Sequence, residues 1–192
     1  MNSYLKILTL FVLTISCQSN KSEEISDLSN LEKETRSQKN DNNLSKDLQS
    51  KTTLTKQQFN DFFPKEIGAY KLINVSVLMS SGFGGATYIK DNDYNTSMTY
   101  SLEDGNRKNS AITRNFEVSY NMKAKGPEET EYIYTERDGY KTIAFLQSKI
   151  NRNDVRFVYN NRFRITLEGT DLPDKLWLYI NFDNLKKLDQ LN

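Results

Sequence analysis

The chain has 192 residues, with 26 lysines and arginines against 25 aspartates and glutamates and a formal net charge of +1. So balanced a charge leaves no electrostatic footprint for nucleic acid. Histidine is absent and Cys17 is the single cysteine, which removes the usual general base, the usual zinc ligand and any intrachain disulfide; the residue types that remain call for no cofactor.

The amino-terminal segment carries Lys6, the run Ile7-Leu8-Thr9-Leu10-Phe11-Val12-Leu13-Thr14-Ile15, then Ser16-Cys17. The run is too short to cross a bilayer and ends in a small residue before the cysteine, the layout of a secretory signal. On these residues the segment resembles a bacterial lipoprotein signal peptide. The resemblance implies removal of residues 1–16, diacylglycerol on the Cys17 thiol and acylation, as with palmitate, of the new amino terminus. It places the protein in the bacterial cell envelope, lipid-anchored at the outer membrane. Each buried methylene contributes about 0.8 kcal/mol, so a two- or three-chain anchor would be effectively permanent.

Residues 17–54 then read as the lipidated cysteine and a flexible tether. From Gln18 to Leu54 the chain is rich in Ser, Asn, Lys and Glu and has no glycine, proline or aromatic residue, too little apolar mass to offset the entropy of ordering. Leu28, Leu31, Leu44 and Leu48 are too few for a coiled-coil seam. Lys21-Ser22-Glu23-Glu24 resembles the short acidic export signals of surface-displayed lipoproteins in the Bacteroidetes, with a plain charged linker as the alternative. No basic cluster adjoins the anchor to make a second contact with anionic lipid.

A single globular domain is expected at 55–192, long enough for one core and too short for two. Thr55 caps a short helix presenting Phe59, Phe62 and Phe63 ahead of Pro64. Ile73, Val75, Val77 and Met79 alternate as a half-buried strand requires, Ser80 to Gly85 reads as a loop, and strands follow over 86–90 and 96–102, closed by Asp104-Gly105. Ile112, Phe116 and Tyr120 recur at helical spacing between a cap at Asn109 or Ser110 and a stop at Gly126-Pro127. Phe116, Val118, Tyr120 and Met122 would instead make a strand; the cap and stop favour the helix.

Segments 130–136, 142–150, 155–159 and 162–168 read as an antiparallel meander. Two short helices close the chain: Asp171-Leu172-Pro173 opens one carrying Leu176, Trp177 and Ile180, and Asp183 opens another with Leu185, Leu188 and Leu191. The pattern predicts an α+β fold, a twisted antiparallel sheet with helices packed on it.

Register can be argued for the last hairpin. A two-residue turn would set Phe157 against Arg164 and Arg156 against Ile165, mixing charge into the core face. A three-residue loop Tyr159-Asn160-Asn161 instead pairs Phe157 with Phe163 and Val155 with Ile165, and sets Arg156 across from Arg164. With the preceding hairpin closed through Asn151 to Asp154, Lys149 falls beside Arg156. Lys149, Arg156 and Arg164 then form a basic row, a candidate anion-facing surface. Like charges directly opposite cost about 0.2–1 kcal/mol, which a bound acidic group would offset.

Other motifs have simpler explanations. Gly82-Phe83-Gly84-Gly85 lacks the lysine and following helix of a phosphate loop and reads as a hairpin connection or flap. Asp91-Asn92-Asp93-Tyr94-Asn95 begins like a calcium loop, but Thr96 stands where the bend needs glycine and Leu102 where a bidentate carboxylate is needed, so it reads as a polar turn. Asp171 and Asp174 could form a glycosidase pair, yet acids in a first helical turn are accounted for by the helix dipole. Trp177 could stack on a sugar, but beside Leu176 and Ile180 it reads as core. No catalytic or metal-binding set stands out.

The run Asn161-Arg162-Phe163-Arg164-Ile165-Thr166-Leu167-Glu168-Gly169 is similar to the strand, Arg-Phe, strand, glycine, helix ending of envelope lipoproteins of the Bacteroidetes and similar bacteria. That resemblance implies location and no reaction. The expected function is a lipid-anchored envelope protein that presents a non-enzymatic binding or accessory domain to a protein or acidic-glycan ligand. The alternatives are an immunity-type inhibitor of a toxin and a small hydrolase using carboxylates alone.

Overall fold

The computed structural model describes residues 52–106 and 111–191. The signal segment, Cys17, the tether to residue 51 with its acidic run, and the cap candidates Asn109 and Ser110 lie outside the described residues.

Thr55 opens α1 (Lys56–Phe62) through a capping box: its hydroxyl accepts from the Gln58 amide at 3.2 Å, and the Gln58 side chain accepts from the Thr55 amide at 2.7 Å. The helix buries Phe59 and Phe62, and Phe63 and Leu54 join them in the core. The folded unit therefore starts upstream of the expected boundary at 54/55, because a lone leucine among polar residues carries no periodic signal.

Four strands follow: β1 (Glu66–Ile67), β2 (Tyr70–Leu78), β3 (Phe83–Lys90) and β4 (Asp93–Asp104). After α2 (Ile112–Met122) come β5 (Thr130–Arg137), β6 (Tyr140–Gln147), β7 (Arg152–Tyr159) and β8 (Phe163–Gly169). The chain closes with α3 (Pro173–Leu178), α4 (Phe182–Leu185) and a 3-10 turn at Lys186–Leu191. The strands form one antiparallel sheet in the order β1-β2-β3-β4-β8-β7-β6-β5. Each half is a meander preceded by a helix, and β8 joins the halves by pairing with β4. The fold is α+β and rich in strand.

Strict alternation in β7 and β8 sends Val155, Phe157, Phe163, Ile165 and Leu167 to one face. There they meet Tyr88, Tyr100 and Leu102 under α1, α3 and α4, with Trp177 in the core as its spacing predicts. α2 packs on the opposite face.

Two expectations change, and the polar turn at Asp91 holds. A bulge between Leu72 and Asn74 resets the alternation of β2; Val75 and Val77 turn inward, while Ile73 is 43% exposed and Met79 lies past the strand end. Gly84 and Gly85 belong to β3, the turn being Met79 to Gly82. A Cβ on Gly84 would stand 2.6 Å from the Phe59 ring, so the bare backbone lets α1 press onto the sheet. Asp91 and Asn92 take φ of 54° and 58° and make the tight turn between Lys90 and Asp93.

Asp104 accepts four hydrogen bonds, and its side chain is 1% exposed, as is that of its partner Arg162. Arg162 donates to it from Nε at 2.7 Å and from Nη2 at 2.9 Å. The amides of Leu54 and Asn106 donate to the same carboxylate at 2.9 Å each. Nη2 of Arg162 also reaches the Thr52 carbonyl at 2.7 Å, and the guanidinium lies 4.5 Å from the centre of the Phe163 ring. Removing one member of a buried pair strands a charge and costs about 3–5 kcal/mol. Arg162→Met is expected to lower unfolding free energy by that amount in urea melts. Because the amides of Leu54 and Asn106 would also lose their acceptor, Asp104→Leu/Arg162→Met should not recover wild-type stability; full recovery would contradict this role for Asp104.

Candidate functional site

The last hairpin turns through Asn160-Asn161-Arg162, with Asn160 and Asn161 both at positive φ, and pairs Tyr159 with Phe163. Arg164 therefore faces Val158 and Arg156 faces Thr166, not each other. The expected loop, one residue earlier, keeps the same residues on the core face, so alternation could not separate the two registers. Placing Arg162 in the turn, where it is buried on Asp104, favours the observed one. The preceding hairpin pairs Gln147 with Arg152 around a 3-10 turn at Ser148–Ile150. Lys149 thus leaves the row and pairs with Glu129 at 3.1 Å.

Arg156 and Arg164 nevertheless come together, on one wall of a cleft of about 330 Å³ between α2 and the sheet. α2 supplies Phe116, Ser119 and Met122; β5 supplies Tyr132 and Tyr134; β6 supplies Ile143. The Thr113 hydroxyl donates to the Asn161 carbonyl at 2.9 Å and fixes the start of α2 on the β7–β8 turn. Lys141 bonds Glu117 at 2.6 Å along the helix, and the Tyr134 hydroxyl donates to the Ala124 carbonyl at 3.0 Å beyond its end. Tyr132 stacks on Phe145 with centroids 4.5 Å apart, and the Arg156 guanidinium lies 5.9 Å from the Tyr132 ring centre. An apolar cavity with a few convergent polar groups is the usual form of a small-molecule site.

The two arginines differ in how they are satisfied. Arg164 donates to Glu103 from Nε, at 3.0 Å, and from Nη2. Arg156 Nε pairs with the Asp154 Oδ1 at 3.3 Å without the alignment of a hydrogen bond, so both buried atoms form an ion pair but no hydrogen bond. Burial pushes the Asp154 carboxyl up to about 6; Arg156 opposes the shift and Glu168, directly opposite in the sheet, adds to it.

Sequence reasoning grouped the two arginines on one face, though from a different register, and missed the walls. Tyr132 and Tyr134 at strand spacing opposite a helix led by Phe116 were the available signal, but nothing in the spacing says which face the helix covers. Among the described residues no group of three acidic, cysteine or histidine side chains could hold a metal. The chain matches no protein-family description and no curated protein. Among solved structures it is similar to a GTP-binding regulator from Thermotoga maritima, with a TM-score of 0.40 and 9% identity over 66% of this chain and 84% of that one. A likeness of that size carries no functional inference.

The Asp154 shift has a stability consequence. Its folded value is raised from 3.8 to about 6, so its contribution is fully present below the unfolded value and is lost as pH rises through about 6. Two units at about 1.4 kcal/mol each make this roughly 2–3 kcal/mol. Asp154→Asn should therefore gain stability relative to wild type by about that amount between pH 4 and pH 7 in paired denaturant melts. A difference that stays constant over that range would contradict the burial of this carboxylate.

Proposed function

We propose that this chain is a lipid-anchored envelope protein whose domain is a non-enzymatic binding module, with the cleft beneath α2 as its binding surface. The anchor rests on the apolar run that ends at Ser16-Cys17. No helix among the described residues is long and apolar enough to cross a membrane, which is compatible with attachment through lipid. The module reading is carried by the cleft itself: tyrosine, phenylalanine and isoleucine walls around a guanidinium whose ion pair with Asp154 is not a hydrogen bond.

The carboxylate-hydrolase alternative loses its motive at Asp171 and Asp174. Asp171 accepts from Lys175 at 2.8 Å, Tyr179 at 3.0 Å and Tyr70 at 3.2 Å. Burial alone would raise its carboxyl, but donation by Lys175, Tyr179 and Tyr70 holds it below its ordinary value. Asp174 is 90% exposed and pairs with Arg137 at 2.6 Å. A general acid needs a raised value in a sheltered site, and neither group has both.

Cys17→Ala is expected to abolish labelling by a palmitate analogue and to move the protein out of the lipid-anchored membrane fraction. Unchanged labelling and fractionation would contradict the anchor.

A further inference from the structure

We infer that the cleft beneath α2 takes a small, flat, apolar molecule carrying one carboxylate, with the carboxylate on Arg156 and the ring system between α2 and the β5 tyrosines. The inference rests on the reading of this cleft as the binding surface and adds the ligand's chemical class.

Arg156 carries the argument. Its guanidinium has five donors, its side chain lines the cleft and is 30% exposed, and Nε is sealed against Asp154, which leaves the terminal nitrogens as the edge a ligand can reach. Asp154 lies 3.3 Å away but is not aligned to accept. A carboxylate entering from the cleft can take two parallel N–H groups from the terminal nitrogens of the planar guanidinium, the geometry that arginine offers and lysine does not. Arg164 stands on the next strand with Nε and Nη2 committed to one oxygen of Glu103, so it adds charge without competing for position.

The rest of the ligand follows from the walls. Phe116, Met122 and Ile143 are apolar, and the Tyr132 ring is already stacked on Phe145, so the faces on offer suit a flat ring. One negative charge suits the site better than two. Glu103 and Asp154 already balance Arg164 and Arg156, and each further anionic charge must be carried at the boundary of a partly desolvated cleft.

Asp154 makes the affinity sensitive to pH. The charged groups around it are Arg152 and Arg156 on its own strand and Glu168 opposite on β8, while β6 places Phe145 opposite it. Arg152 is engaged by Glu168 at 2.8 Å and by the Ser97 carbonyl at 2.8 Å. When Asp154 takes up a proton, Arg156 loses its one competing anion, so binding tightens as the pH falls.

The test is isothermal titration of 2-naphthoate into the full chain in a nonionic detergent, with 2-naphthalenemethanol as the uncharged control and detergent alone as the blank. Naphthoate should bind saturably at one site per chain, and the alcohol more weakly. Arg156→Gln should weaken naphthoate by about tenfold or more and the alcohol by much less, with circular dichroism confirming an unaltered fold. Ser119→Trp, which fills the cleft from α2, should remove binding of both. In the wild-type protein alone, naphthoate affinity should rise several-fold between about pH 7.5 and about pH 5.5, over which its own carboxyl stays ionised. No saturable binding, equal affinity in Arg156→Gln, survival of binding in Ser119→Trp, or a flat pH profile would each overturn the inference. Palmitate labelling of Cys17 that persists while naphthoate fails to bind would leave the lipid-anchored reading standing.

Discussion

Four donors converge on one buried carboxylate, Asp104, and the geometry of the proposed site descends from that convergence. Two of them come from Arg162 and hold the β7–β8 turn; the others are the amides of Leu54 and Asn106, which tie the entering chain and the end of β4 to the same point. With the turn fixed, the Asn161 carbonyl is presented to the Thr113 hydroxyl, and α2 starts where its apolar side lies over Arg156 and Arg164. The ion pair contributes little by net Coulomb energy, since desolvation takes most of the gain. Its effect is positional: each alternative placement of the turn leaves a buried charge without its partner.

The same constraint selects the strand register. Moving the loop by one residue keeps Phe157, Phe163 and Ile165 on the core face, so hydrophobic burial does not discriminate between the two pairings. Polar pairing does. The observed register sets Arg156 opposite Thr166 and Arg164 opposite Val158, and leaves Arg162 in the turn, buried on Asp104. The loop placed one residue earlier would have set Arg156 and Arg164 against each other. The two arginines remain neighbours on one face as a diagonal pair, and the cleft under α2 gives them a shared boundary.

Much of the fold was legible in the sequence because it follows from local rules. The Thr55 capping box, the helix on Ile112, Phe116 and Tyr120, the β5–β8 meander and the Pro173 helix start each depend on a few adjacent residues. What was not legible depends on pairs distant in sequence. Gly84 looks like loop until Phe59 is seen to press on it. Arg162 looks like the first residue of a strand until Asp104, 58 positions away, is seen to receive it. The cleft was half visible: its arginines followed from alternation, whereas its tyrosine and phenylalanine walls required knowing that α2 crosses the face opposite the main core.

The account's central claim is that the latch at Asp104 and Arg162 holds α2 over the arginines before any ligand arrives, as a preformed cleft. Native-state amide hydrogen exchange on the ligand-free chain tests it most directly. The account predicts that the amides of Phe116 to Tyr120 exchange orders of magnitude more slowly than those of an unstructured peptide, together with the β7 and β8 amides flanking the turn. Exchange of α2 at unstructured-peptide rates while β7 and β8 stay protected would contradict it, since the cleft would then have no standing wall.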